Sequence, residues 1–234
     1  MYHSITFGDK NTWEDWHLIP STRPVFNPPR PKMQYWEIPG MNGKVDGTES
    51  LVGYTLYENR TGSFEFIVEN GHWDWQTAYS TIMNYLHGKR MRAVMEDAPG
   101  FFYEGRFSVN SWKSDKNWST IVIDYDVGPY RQNVISSMDP WIWDTFNFES
   151  DIIQEGNAIR INGDTMVRII GSQMRICPKF TASSDMTIRF EGETYAIPAN
   201  VTTQIFEIEL VEGQNDLVIT GQGTIDIEYR AGEL

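Results

Sequence analysis

The sequence predicts a mostly β protein built as an α+β domain followed by an all-β sandwich. Three observations predict it. Apolar residues recur with a period of two over most of the chain; one segment switches to the helical period; and charge and proline divide the chain into unlike halves.

The period of two is clear in three runs. Phe64, Phe66 and Val68 alternate with Glu65, Ile67 and Glu69. Ile121, Ile123, Tyr125 and Val127 alternate with Val122, Asp124 and Asp126. Ile225, Ile227 and Tyr229 alternate with Asp226, Glu228 and Arg230. Such runs read as strands with one buried and one wet face. Asn70-Gly71, Asn162-Gly163-Asp164, Glu212-Gly213-Gln214-Asn215 and Gly221-Gln222-Gly223 read as the turns between strands.

The exception runs from Trp73 to His87. Trp75, Tyr79, Ile82, Met83 and Leu86 fall on one face of a helix, with Gln76, Thr77, Ser80, Thr81 and Asn84 on the other. Gly88 stands where a helix needs a left-handed C′ residue, and Lys89, Arg90 and Arg92 follow at the negative end of the dipole. A helix this short needs a sheet to pack on.

Six prolines lie between Pro20 and Pro39. Proline has no amide to donate, so this stretch is an extended arm or surface loop, not a central strand. A second irregular stretch, Tyr130 to Ser150, holds Asp139-Pro140-Trp141-Ile142-Trp143. Residues 1–131 carry 13 basic and 16 acidic residues, a net −3; residues 132–234 carry 6 and 16, a net −10. The division is placed there: an N-terminal domain over 1–131 and a C-terminal domain of about seven short strands over 132–234. The strands of the second need a covering layer, hence a sandwich.

The 234 residues carry a net charge of −13. That argues against tight binding of a phosphate backbone, which needs Lys and Arg. With Cys177 as the sole cysteine, no internal disulfide forms, as suits folding in a reducing cytoplasm. The first residues lack the basic and apolar regions of a signal peptide, and no run approaches the roughly 18 apolar residues of a membrane span, so neither is expected.

The search for chemistry turns up little. His3, His17, His72 and His87 have no metal-ligand spacing. Asp124 and Asp126 share a strand face; such a pair can bind Ca²⁺ or act as acid and base, but a solvated face explains it as well. Glu14-Asp15 and Glu96-Asp97 are adjacent and diverge in regular structure. Cys177, in Met174-Arg175-Ile176-Cys177-Pro178, reads as a buried structural thiol. No catalytic, metal or cofactor site is predicted. The 9 tryptophans, among them Trp13, Trp16, Trp73, Trp75, Trp141 and Trp143, divide between core and interface.

Several segments, in order, resemble the distal tail protein family of long-tailed bacteriophages. Ile5-Thr6-Phe7-Gly8-Asp9-Lys10-Asn11-Thr12 followed by Asp15-Trp16-His17-Leu18 is similar to the family's opening strand and turn. Ile38-Pro39-Gly40-Met41-Asn42-Gly43-Lys44-Val45-Asp46 resembles its proline-glycine segment. Tyr57-Glu58-Asn59-Arg60 with Phe64-Glu65-Phe66, Leu86-His87-Gly88-Lys89, Phe102-Tyr103-Glu104-Gly105-Arg106-Phe107 and the closing run from Glu212 to Arg230 fit later pieces. Residues 150–205 match only in β character.

The resemblance implies an N-terminal domain of split β-barrel character, with one main helix and an extended arm, and a C-terminal galectin-like β-sandwich. It implies a homo-hexameric ring, single or double, at the virion tail tip, assembled in the host cytoplasm. The expected partners are the tail tube protein, the tape-measure protein, the tail-associated hub or lysin protein and receptor-binding proteins. The resemblance also implies that DNA passes through the channel without specific binding, and that no membrane, cofactor or enzymatic activity is involved. Pro39, Gly40, Gly43 and Asp46 are the residues expected to shape the arm or ring interface. The alternative is a carbohydrate-binding module for cell-wall glycans. Against it, residues 151–234 contain no Trp, and Tyr229 falls among inward-facing residues.

Overall fold

The structure, a computed structural model, describes residues 2–68, 75–114, 119–140 and 155–234. The predicted Asn70-Gly71 turn and His72, Trp73, Trp141 and Trp143 lie outside them. The chain divides into two compact units, residues 1–131 and 132–234.

In the first unit the strands are β1 (Ile5–Phe7), β2 (Lys10–Asn11), β3 (Leu18–Pro20), β4 (Tyr35–Trp36), β5 (Val45–Asp46) and β6 (Arg60–Val68). After helix α1 (Trp75–Leu86) come β7 (Lys89–Met95), β8 (Ala98–Ser114) and β9 (Ser119–Val127), and β10 (Arg131–Asn133) lies at the division. Seven strands of one antiparallel sheet follow in the order β2-β1-β7-β8-β9-β6-β3, and β10 pairs with β8 off that path. Its two edges, β2 and β3, are near neighbours in sequence. The turn between them is closed by a bond from the Leu18 amide to the Thr12 carbonyl at 2.7 Å, and the buried Thr12 hydroxyl accepts from the Ile5 amide. The sheet therefore curls towards itself as a split barrel.

The alternation predicted for β6 and β9 is what fills this barrel. Phe64, Phe66, Ile121 and Ile123 are buried with Phe7, Leu18 and Phe107 in one core. Helix α1 covers it with Ala78, Ile82 and Leu86, while Tyr79 and Met83 are half-buried against it. Burial of each large side chain contributes roughly 1.5–3 kcal/mol. Gly88, at φ +73°, ends the helix as predicted, and Lys89 Nζ donates to the Asn84 carbonyl at 2.8 Å.

The second unit holds β11 (Ile159–Gly171), β12 (Lys179–Ala182), β13 (Met186–Phe190), β14 (Glu193–Ile197), β15 (Thr203–Gln204), β16 (Gly213–Glu228) and β17 (Gly232–Glu233). Six of them form one sheet ordered β14-β13-β16-β12-β15, with β11 on the other side of β16. It wraps around a single core containing Phe180, Ile188, Leu217, Ile219, Ile225 and Ile227.

Two predicted turns are not turns. Asn162-Gly163-Asp164 lies inside β11 and Gly221-Gln222-Gly223 inside β16, and they face one another in an unbroken ladder, Ile161 opposite Gly223 and Gly163 opposite Gly221. Gly221 and Gly223 let neighbouring side chains pass close to the strand. A Cβ on Gly221 would lie 2.6 Å from Met186 Cγ, and one on Gly223 would lie 2.4 Å from Ser183 Oγ. Two of the seven strands are thus long rather than short.

Candidate assembly interface

The arm is an antiparallel ribbon with two limbs. The Lys32 amide donates to the Leu56 carbonyl and the Glu58 amide to the Arg30 carbonyl, both at 2.8 Å, and Pro31 bridges Tyr57. Further out, β4 pairs with β5. The predicted stretch therefore needs correcting at both ends: Pro20 belongs to the edge strand β3, opposite Phe66, and the arm returns well beyond Pro39.

All four predicted residues lie on the ribbon's outer part. Ile38-Pro39-Gly40-Met41 is a turn, with the Met41 amide bonded to the Ile38 carbonyl at 3.1 Å and Gly40 at φ +86°. Proline then glycine is the pairing a type II turn asks for. Gly43, at φ +80°, starts the return, and Lys44 reaches Glu37 across the ribbon at 2.9 Å. The Asp46 carboxylate accepts from the Thr48 hydroxyl at 2.6 Å and the Thr48 amide at 3.0 Å, which holds it below the usual carboxylate range. The Thr48 hydroxyl in turn accepts from the Gln34 amide. The Trp36 ring lies on Gly47, where a Cβ would come within 2.3 Å of it.

The arm exposes apolar side chains that its sequence would place in a core. Met33, Tyr35, Trp36, Ile38 and Met41 on the outgoing limb are each roughly half exposed, and Leu51 on the return is 87% exposed. Together with Val52 and Leu56, they are eight of the seventeen large exposed hydrophobic residues among those described. Such concentration on one surface element marks an interaction site.

The root of the arm is fixed. Phe26 is buried against Tyr103, Tyr125 and Phe64, with ring centroids 4.0–5.0 Å apart. The Asn27 amide donates to the Tyr125 hydroxyl at 2.8 Å, and Asn27 Nδ2 to the Thr61 carbonyl at 2.9 Å. Arg60, 6% exposed, donates Nε to the Pro129 carbonyl at 2.7 Å and Nη1 to the Asn27 carbonyl at 3.1 Å, its guanidinium 5.4 Å from the Tyr103 ring centre. Burial pushes its pKa down. Nothing local in the sequence marks Arg60, because its partners lie 33 and 69 residues away.

The other candidates are each tied into the fold by local bonds or packing. Asp124 and Asp126 lie on the outer face of β9, each accepting a bond from an asparagine amide, Asn110 and Asn59, at 2.7 Å. Glu96 and Asp97 both hold the N-terminal segment: Glu96 accepts from the Ser4 amide, and Asp97 lies 2.9 Å from His3 Nδ1 and 2.7 Å from Arg23. His17 sits edge-on to Trp13, and His87 follows the helix. Trp16 is core, and Trp75 packs on Trp112. Cys177 is half-buried rather than buried, its thiol directed at the Phe206 carbonyl; burial and then Glu209 and Glu207 raise its pKa, which keeps it a thiol. Among the described residues no group of His, Cys, Asp or Glu could hold a metal ion, and no helix is long and apolar enough to cross a membrane.

No protein-family model matches the sequence, and no curated protein does. The fold, by contrast, has a solved counterpart. The crystal structure of SPP1 Dit (gp 19.1), described as a paradigm of the hub adsorption apparatus in phages infecting Gram-positive bacteria, superposes with a TM-score of 0.63 over 100% of both chains, at 12% identity. The two proteins share a fold from end to end.

Proposed function

We propose that this chain is a structural subunit of the tail tip of a long-tailed phage. Six copies close into a ring that joins the tail tube to the host-adsorption apparatus and surrounds the DNA-ejection channel. The observation that carries this reading is the shared fold over the full length of both chains with a hub adsorption protein. The first unit forms the ring, and its apolar arm lies on the next subunit, a heterologous contact that closes by rotation. The second unit, in this reading galectin-like, faces outward. Tail tube and tape-measure proteins meet one face, the hub or lysin protein the other, and receptor-binding proteins the periphery. A net charge of −13 suits a conduit that lets DNA pass without holding it. The protein has no turnover of its own.

Light scattering with negative-stain imaging tests this. Six copies of 27.1 kDa weigh 162.6 kDa. Open-centred rings at that mass, or twice it, are expected. Gly40→Val, strained at φ +86° yet with nothing within 4 Å of its Cβ, should impair the ring more than the fold. A strict monomer, even with the hub protein added, would overturn the ring and favour a glycan-binding module.

A further inference from the structure

We propose that β11 is an interaction surface for a second copy of this chain, through which two C-terminal units pair edge to edge. The pairing does not rest on the ring reading.

The sheet edges differ sharply in design. β2 and β15 have two residues each, β3 has three and contains Pro20, and β14 has five. Short edges and prolines are how β proteins avoid adding a strand from outside. β11 has thirteen residues, contains neither proline nor lysine, and pairs only with β16, in one register over its whole length. Its other edge carries no strand among the described residues. The alternate side chains Arg160, Asn162, Asp164, Met166, Arg168 and Ile170 are all exposed, Met166 at 63% and Ile170 at 42%.

The exposed row is self-complementary, which selects a second copy over an unrelated strand. Place a two-fold axis at Met166 in an antiparallel pair. Arg168 then faces Asp164 twice, Met166 faces its own mate, and Ile170 faces Asn162. An axis at Asp164 would instead set Arg168 against Arg160, two like charges. The charged groups have capacity left. Arg168 uses Nε and Nη2 on Asp216, and Asp164 uses Oδ1 on the Thr220 hydroxyl. These bonds hold both side chains on the sheet, leaving Arg168 Nη1 and Asp164 Oδ2 for the mate. A symmetric pair of this kind is isologous and closes with two copies. The net −10 of each unit opposes approach at long range, so salt that screens it is part of the test.

The test uses the full chain with Cys177→Ser, at roughly 0.3 M salt so that the screening length is below about 10 Å. Oxidation of Met166→Cys should give a disulfide-linked dimer, because the two-fold brings residue 166 onto itself. Arg160→Cys should not, because its mate lies about twelve strand positions away, roughly 40 Å. Met166→Lys should leave the melting temperature unchanged and weaken self-association at least tenfold by sedimentation. Equal cross-linking at the two positions, none at residue 166, or self-association unaltered by Met166→Lys would overturn the proposal.

Discussion

Arg60 fastens both limbs of the arm to the barrel, so its removal should loosen the arm before it unfolds the sheet. The perturbation is Arg60→Met, which keeps length and apolar stem. It deletes the donors to the Pro129 and Asn27 carbonyls. A bond from a charged donor contributes about 1.5–3 kcal/mol, so the two together contribute roughly 3–6 kcal/mol. Against this stands the desolvation of a guanidinium that is 6% exposed, with carbonyls rather than a carboxylate as its recorded bond partners. Recovering part of that desolvation, a few kcal/mol, leaves a net loss of about 2 kcal/mol. For a unit of this size that lowers the melting temperature by roughly 6–8 °C. Calorimetry reads the shift. Amide exchange reads its place: the Asn27, Lys32 and Glu58 amides, which bond across the arm's base, should lose protection, while those of β9 keep theirs. An unchanged melting temperature, or uniform loss across the sheet, would refute the clamp.

Three further outcomes follow from the packing and the titrations. Gly221→Ala should destabilise the C-terminal unit by about 1–3 kcal/mol in urea, because the added Cβ meets Met186; shortening Met186 to Ala in the same chain should reduce the penalty. Burial, with Glu155 second, pushes Tyr229 up from 10.0 to about 12. Its contribution, on the order of 2–3 kcal/mol, is full below pH 10 and lost as pH rises towards 12, and Tyr229→Phe should flatten that part of a denaturation-against-pH curve. At the acid end the sign reverses. Ser4 bonding holds Glu96 below its ordinary 4.5, and His3 and then Arg23 hold Asp97 below 3.8, so their support is present above about pH 4.5 and is lost as pH falls below 4. A urea midpoint that holds steady from pH 5 to pH 2.5 would contradict this.

What the sequence revealed tracks the range of the cause. β6, β9 and α1 were legible because their periodicity reports the face they bury, a local property. The turn at Pro39-Gly40 was not read locally; its residues were singled out only through the resemblance, for an arm or a ring interface. β16 was not legible either. Gly-Gln-Gly has every local mark of a hairpin, and only the crossing of Met186 and Ser183 shows that the strand runs through. β8 was visible only at Phe102–Phe107, because Pro99-Gly100 hides its start and a bulge between Val109 and Ser111 interrupts its alternation. The arm was half legible. Its prolines announced the outgoing limb, but Leu51, Val52 and Leu56 look like core, and nothing in their composition says that water surrounds them.

A general acid must hold its proton near neutrality, which requires a carboxyl pushed up by burial or by a like charge. Among the described residues, each carboxyl whose titration the fold displaces is pulled down by a hydrogen bond: Asp15 by Lys10 and the Asn11 amide, Asp46 by Thr48, Glu96 by Ser4, Asp97 by His3, Asp139 by Ser136, Asp216 by Arg168. The groups pushed up by burial are a thiol and tyrosines, which stay neutral and inert. The carboxylate bonds tie segments together, and eight of the seventeen large exposed hydrophobic residues among those described lie on an arm anchored by Phe26, Asn27 and Arg60. Such an arm, apolar on its exposed face and fixed at its root, is the feature on which the proposed contact with the next subunit turns.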